Sequence, residues 1–180
     1  MTPTGPTPPT SPDRAWSLGI DVGHGETSAA RLSLRSIHMG TDVTSLEIEN
    51  RKSIITAVGR TPTGEVLLGT AALTRDDALD VRAAFKAEPS RLGPGERRSL
   101  QTFFRAVCDE LDRQNGGFVR AGEAVVHVGV PSGWSADAVA AYRDVLRNDV
   151  VREIVPVPES RAALLHAVEI GHAVARFALG

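Results

Sequence analysis

Apolar positions change their period along this chain, and each change marks an element. Residues 16–22 are mostly apolar and run into Asp21-Val22-Gly23-His24-Gly25, the pattern of a buried strand entering a glycine-broken turn. Residues 27–34 repeat the strand pattern, so the two form a hairpin that places residues 21–26 at one edge of a sheet. Two shorter apolar pieces, 54–58 and 66–68, flank Gly59-Arg60-Thr61-Pro62-Thr63-Gly64 and read as a second hairpin. Residues 80–86 read as a strand and 89–95 as a loop rich in breakers.

Helical spacing begins at residue 97. Leu100, Phe104, Val107 and Leu111 recur every three or four positions until Asn115-Gly116-Gly117, which predicts a helix over 97–114. A nearly continuous apolar strand at 124–130 stops at Pro131, and 135–146 returns to helical spacing through Val139, Tyr142 and Leu146. A strand at 151–157 and a long helix at 159–179 follow, the helix with Ala163, Ala167, Ile170, Val174 and Phe177 on one stripe. Hairpins followed by alternating strands and helices predict an α/β fold: a mixed sheet with helices on its faces. No repeat of fixed period is present.

Composition narrows the functions more than the fold. A hydrophobic share of 42% and a charged share of 23% are those of a globular chain. A net charge of -2 supplies no broad positive field, so nucleic acid and membrane surfaces are not the expected partners. The single cysteine, Cys108, can form no internal disulfide and reads as a small buried hydrophobe, which fits a cytoplasmic setting. Residues 1–14 alternate Thr and Pro, and are expected to be a disordered leader ahead of one domain over 15–180. No secretory pattern or bilayer-spanning apolar run appears.

Candidate chemistry collects at the first turn. Gly23 and Gly25 let a backbone approach a ligand, Thr27 and Ser28 bring hydroxyls, and Asp21 offers a carboxylate able to hold a hydrated magnesium ion. Taken alone, Gly19-Ile20-Asp21-Val22-Gly23 is also an ordinary strand end. His24, His38, His127, His166 and His172 are scattered without zinc spacing. There is no Gly-x-Ser-x-Gly elbow and no Walker-type phosphate loop.

Gly19 to Ser28 resembles the first phosphate loop of the actin-like ATPases, and in particular of the DnaK-type heat-shock chaperones, Gly-Ile-Asp-Leu-Gly-Thr-Thr-Asn-Ser. Three later features fall in the same order. Val81-Arg82-Ala83-Ala84-Phe85-Lys86 resembles the segment with the chaperones' catalytic lysine, and Val126-His127-Val128-Gly129-Val130-Pro131 is similar to their buried strand ending in Val-Pro. Ile154-Val155-Pro156-Val157-Pro158-Glu159 is similar to their strand-to-helix junction, and the interval from Pro131 to Glu159 is the family's. The resemblance implies the first lobe of an actin-like, ribonuclease H-like ATP-binding domain. It implies ATP or ADP with Mg2+ as cofactors, Lys86 and Glu159 as catalytic groups, and Asp21, Gly23, His24, Gly25, Thr27 and Ser28 as nucleotide-binding residues. Asp21 and Glu159 would hold the metal through water. An acid at a helix start such as Glu159 also favours the helix dipole without any further role.

Departures from the family pattern limit this picture. His24, Gly25 and Glu26 stand where the chaperones have threonines and no acid, and Val139 replaces an arginine. The resemblance runs from Trp16 to Gly180 and stops before a second phosphate loop, which implies a truncated or split ATPase not competent for hydrolysis alone. The expected partners are nucleotide, a protein supplying the missing lobe or a client protein, and further copies of the chain. Two alternatives remain at this stage: a catalytically inactive interaction module of the same fold, and a lobe of a sugar or acetate kinase.

Overall fold

The computed structural model describes residues 15–34, 43–84, 86–151 and 153–159. The expected leader and the expected helix over 159–179, with its apolar stripe, lie outside the described residues. Two sheets and three α-helices are present among those described.

β1 (Trp16–Val22) and β2 (Glu26–Ser33) form the expected hairpin, paired antiparallel from Trp16 with Ser33 to Val22 with Thr27. β3 (Thr44–Leu46) and β4 (Ser53–Ile55) both pair with β2. On the other side β1 pairs parallel with β8 (Ala124–Val130), which pairs parallel with β9 (Ile154–Pro158). The result is a six-stranded mixed sheet in the order β3-β2-β1-β8-β9, with β4 beside β3 along β2. A smaller antiparallel sheet, β6-β5-β7, is built from β5 (Ala57–Arg60), β6 (Val66–Leu68) and β7 (Leu79–Ala83). A short helix, α1 (Gly69–Thr74), follows β6.

Period-two alternation decides which face of the large sheet is buried. Leu18, Ile20 and Val22 of β1 and Val126, Val128 and Val130 of β8 all point to one side and are buried. That side is covered by α2 (Pro94–Gln114) and α3 (Ala136–Leu146). Leu100, Phe103, Phe104, Val107 and Leu111 of α2 are fully buried there, and truncating Phe104 to Ala should cost about 3 to 5 kcal/mol.

The capping chemistry explains the helix limits. Pro94 occupies the first turn of α2, where its missing N–H costs nothing, and the Glu96 carboxylate accepts from the Gly93 amide at 2.8 Å. The helix therefore starts three residues earlier than its apolar spacing predicts. Gly116 and Gly117, with φ of 78° and 81°, stop it. Ser135 caps α3 by accepting from the Ala138 amide at 3.2 Å.

The second hairpin forms, β5 pairing antiparallel with β6, but its first arm corrects the sequence reading. Residues 54–58 are not one strand: β4 joins the large sheet, β5 the small one, and the chain changes sheets at Thr56. Thr56 is fully buried because its hydroxyl donates to the Gly23 carbonyl at 2.9 Å. α1 and β3 were not expected, being too short to show a period. β7 ends at Ala83, before Lys86, because Ala84 turns the chain with a φ of 53°. No helix among the described residues is long and apolar enough to cross a membrane.

Candidate functional site

β1, β8 and β9 run parallel, so their C-terminal ends share one edge of the sheet. Open α/β sheets place their ligands at such an edge. Asp21 is next to last in β1, Gly129 next to last in β8, and Glu159 directly follows β9. A Cβ placed on Gly129 would lie 3.3 Å from Asp21 Oδ1 and 3.7 Å from Glu159 Cγ. The bare backbone of Gly129 thus lets the two carboxylates lie over it.

Lys86 reaches the same point from the small sheet. Beyond β7 the Ala84 amide donates to the Thr56 carbonyl at 3.0 Å, which fixes where the following residues start. The Lys86 Nζ lies 2.5 Å from Glu159 Oε1 and 3.5 Å from Asp21 Oδ1. Its side chain is only 7% exposed, against 63% for Asp21 and 46% for Glu159. A lysine so enclosed needs anionic partners to offset its lost hydration, and the carboxylates supply them. Asp21, Lys86 and Glu159, three residues chosen from sequence and separated by up to 138 positions (159 minus 21), therefore meet in one ionic cluster.

The turn beside the cluster is sterically fixed. The Gly23 amide donates to the Glu26 carbonyl at 2.9 Å, and a Cβ on Gly23 would lie 2.3 Å from that same oxygen, so only glycine fits. Gly25 has open space around its Cα, and His24 is exposed. Thr27 is placed differently from Ser28. Its side chain faces the core, fully buried, with its hydroxyl 2.9 Å from that of Thr56. Because Thr56 gives its proton to Gly23, Thr27 is the donor in that pair. Ser28 faces the cleft, and the Glu26 carboxylate accepts from the Ser53 hydroxyl at 3.0 Å.

A cleft of about 670 Å³ extends from the cluster along the sheet face that α2 and α3 leave uncovered. Asp21, Ser28, Gly129 and Glu159 line it, together with Lys52 and His127. Burial lowers the His127 pKa below its ordinary value, so the ring is neutral near pH 7. Behind the site the Tyr142 phenol is pushed up, first by burial and then by the charges of Asp21 and Glu159. Sequence reasoning missed Lys52 and the bare Gly129. The first carries no local signal; the second was visible only as part of the strand ending at Pro131.

Among the described residues no group of three or more His, Cys, Asp or Glu side chains could hold a metal ion directly. The donor set is instead two accessible carboxylates over an uncrowded backbone. Hard oxygen donors of this number suit a magnesium ion that keeps most of its water and takes further ligands from phosphate.

Comparison with solved structures identifies the fold. A non-polymerising mutant of MamK bound to AMPPNP is matched over 83% of this chain and 42% of its own, at 17% identity and a TM-score of 0.56. MreB 5 of Spiroplasma citri bound to AMPPNP is matched over 86% and 41%, at 15% identity and a TM-score of 0.54. A MamK double helical filament is matched over 80% and 41%, at 18% identity and a TM-score of 0.50. The mixed sheet, its opening hairpin and its helices have the actin-like fold of these structures. The chain spans about two fifths of the length of these structures. No protein-family model and no curated protein matches the sequence.

Proposed function

We propose that this chain is an ATP-binding lobe of an actin-like ATPase, with the nucleotide's phosphates over the turn at Gly23 and the cluster of Lys86, Asp21 and Glu159. The observation that carries this reading is the convergence of one enclosed ammonium and two carboxylates on the bare backbone of Gly129, at the edge where three parallel strands end. Lys86 would exchange its carboxylate partners for the terminal phosphate, where an ammonium stabilises developing charge. Asp21 and Glu159, released from it, would hold the hydrated Mg2+, and Glu159 is placed to orient an attacking water. Gly23 and Gly25 would give the phosphates access to backbone amides, Ser28 a hydroxyl, and His24 the outer lip of the turn. Thr27 supports the turn from beneath rather than touching ligand. Hydrolysis would need groups facing this edge from a second lobe, whether in the same polypeptide or another.

The DnaK-type chaperone reading and a filament-forming reading divide this proposal. The first is supported by the Lys86 segment and the interval from Pro131 to Glu159. The second is supported by the fold shared with MamK and MreB 5, of which one is seen as a double helical filament. Sedimentation with and without Mg-AMPPNP separates them: nucleotide-dependent pelleting supports the filament reading, and a dispersed species that binds unfolded peptide supports the chaperone. Calorimetric titration with Mg-AMPPNP tests the common part. We expect saturable binding that weakens about 10- to 100-fold in Lys86→Ala, the worth of a charge-assisted hydrogen bond. No heat of binding in the unsubstituted chain, or equal affinity in the variant, would overturn it.

A further inference from the structure

A second cavity, of about 410 Å³, lies between the small sheet and the N-terminal half of α2, away from the Lys86 cluster. Pairing of β5 with β7 sets Val58 opposite Arg82, and Arg60 lies two residues beyond Val58, so Val58, Arg60 and Arg82 share one face. Val58 belongs to the core shared with α2, which identifies that face as the one turned toward the helix. On α2 the cavity is lined by Gly95, Arg98, Ser99, Gln101 and Thr102, of which Gly95, Arg98, Ser99 and Thr102, spaced three, one and three apart, form one stripe. Arg60 Nη2 donates to Thr102 Oγ1 at 3.3 Å and joins the two walls.

Three arginines thus line one concavity, with Asp80 as the single carboxylate among its lining residues. None of Arg60, Arg82 and Arg98 has an acidic partner within 4 Å among the described residues, whereas most of the other described arginines do. Gly95 stands in the first turn of α2, where amides have no intrahelical acceptor, and a Cβ there would meet nothing within 4 Å. The space is open where the helix dipole is positive. In a chain of net charge -2, an excess of positive groups around one cavity is a local selection for anions. Planar guanidinium forks match phosphate oxygens in pairs, and the hydroxyls of Ser99 and Thr102 can complete the shell. The lining offers no aromatic ring against which a base could stack.

We propose that this cavity binds a compact phosphate-bearing small molecule through Arg60, Arg82 and Arg98, independently of the nucleotide cleft. The probe is inorganic pyrophosphate, titrated calorimetrically into the Lys86→Ala chain so that the nucleotide cleft contributes little. Binding should be saturable, fall at least tenfold when Arg82→Gln and Arg98→Gln are added, and weaken with salt. Inorganic phosphate as a second arm shows whether one or two phosphoryl groups are needed. Phenylglyoxal labelling of the unsubstituted chain, read by mass spectrometry, needs no variant to fold. Pyrophosphate should protect Arg60, Arg82 and Arg98 and leave Arg31 and Arg51 reactive. Absence of pyrophosphate binding, protection spread over all arginines, or capture of a glutamate-rich peptide in preference to pyrophosphate would overturn the proposal.

Discussion

Tyr142 and Cys108 are the chain's single tyrosine and single cysteine, both are buried, and burial acts on both in the same direction. The Cys108 thiol is raised by burial first, then by Asp109 and Asp112, so little thiolate forms near neutral pH. Native protein should therefore resist iodoacetamide over hours and react with one equivalent in denaturant. Rapid labelling of the native chain would contradict the packing of α2. Tyr142 is raised by burial and by the two site carboxylates, and its hydroxyl has no hydrogen-bond partner among the described residues. A raised pKa means the folded state favours the neutral phenol. Its contribution is fully present below the ordinary value of about 10 and is lost as pH climbs from there toward the folded pKa. Stability should fall above about pH 10, with phenolate absorbance appearing only as the chain unfolds. Tyr142→Phe should remove part of that alkaline loss and hold or raise the melting temperature at pH 7, since it removes a desolvated hydroxyl. A drop in melting temperature would mean that the hydroxyl is satisfied.

Among the elements, the long ones were legible and the junctions were not. β1, β8, α2 and α3 declared themselves because each keeps one period long enough to separate strand from helix, as Leu100 to Leu111 does. The split at Thr56 is invisible in pattern, because Ile54 to Val58 is apolar enough to read as one short strand. What breaks it is a buried polar chain, Thr27 to Thr56 to the Gly23 carbonyl, made by residues distant in sequence. The same network turns Thr27 inward, although its type and place suggested a ligand contact. Thr56→Val should cost about 1 to 3 kcal/mol, because it strands both the Thr27 hydroxyl and the Gly23 carbonyl. Thr27→Val added to it should cost less than the sum of the two single changes, measured by urea unfolding. Additive losses would show that the hydroxyls act separately. Ala84 makes the next junction with a left-handed backbone, a conformation that costs a non-glycine residue roughly 1 kcal/mol. Ala84→Gly should therefore be neutral or stabilising, and Ala84→Val destabilising.

At the scale of the whole molecule, the ionic cluster ties the two sheets together. Lys86 follows the small sheet, while Asp21 and Glu159 close strands of the large one. Their meeting was anticipated in sequence by family spacing, since no local pattern places residue 86 beside residue 159. Two opposite demands act on Lys86. Without nucleotide it neutralises the carboxylates; in the proposed reading it would pair with phosphate instead, leaving Asp21 and Glu159 to hold a hydrated Mg2+. Lys86→Ala should accordingly have two separable effects on thermal unfolding. Without ligand, two carboxylates over Gly129 lose their counter-charge, but both are largely exposed, so water and salt screen them and the melting temperature should drop by only a few degrees. With Mg-AMPPNP at about 100 times its dissociation constant, binding stabilises the unsubstituted chain by about 2.7 kcal/mol, or roughly 5 to 11 °C. The variant, binding 10- to 100-fold more weakly, should keep only about 1.4 to 0.4 kcal/mol of that free energy at the same concentration. Lys86→Arg discriminates further: it keeps the charge but not the point geometry, and should restore the ligand-free stability more than the ligand response. If Lys86→Ala lowers the ligand-free melting temperature and leaves the ligand-induced rise intact, Lys86 is a structural tie between the sheets and not a phosphate ligand.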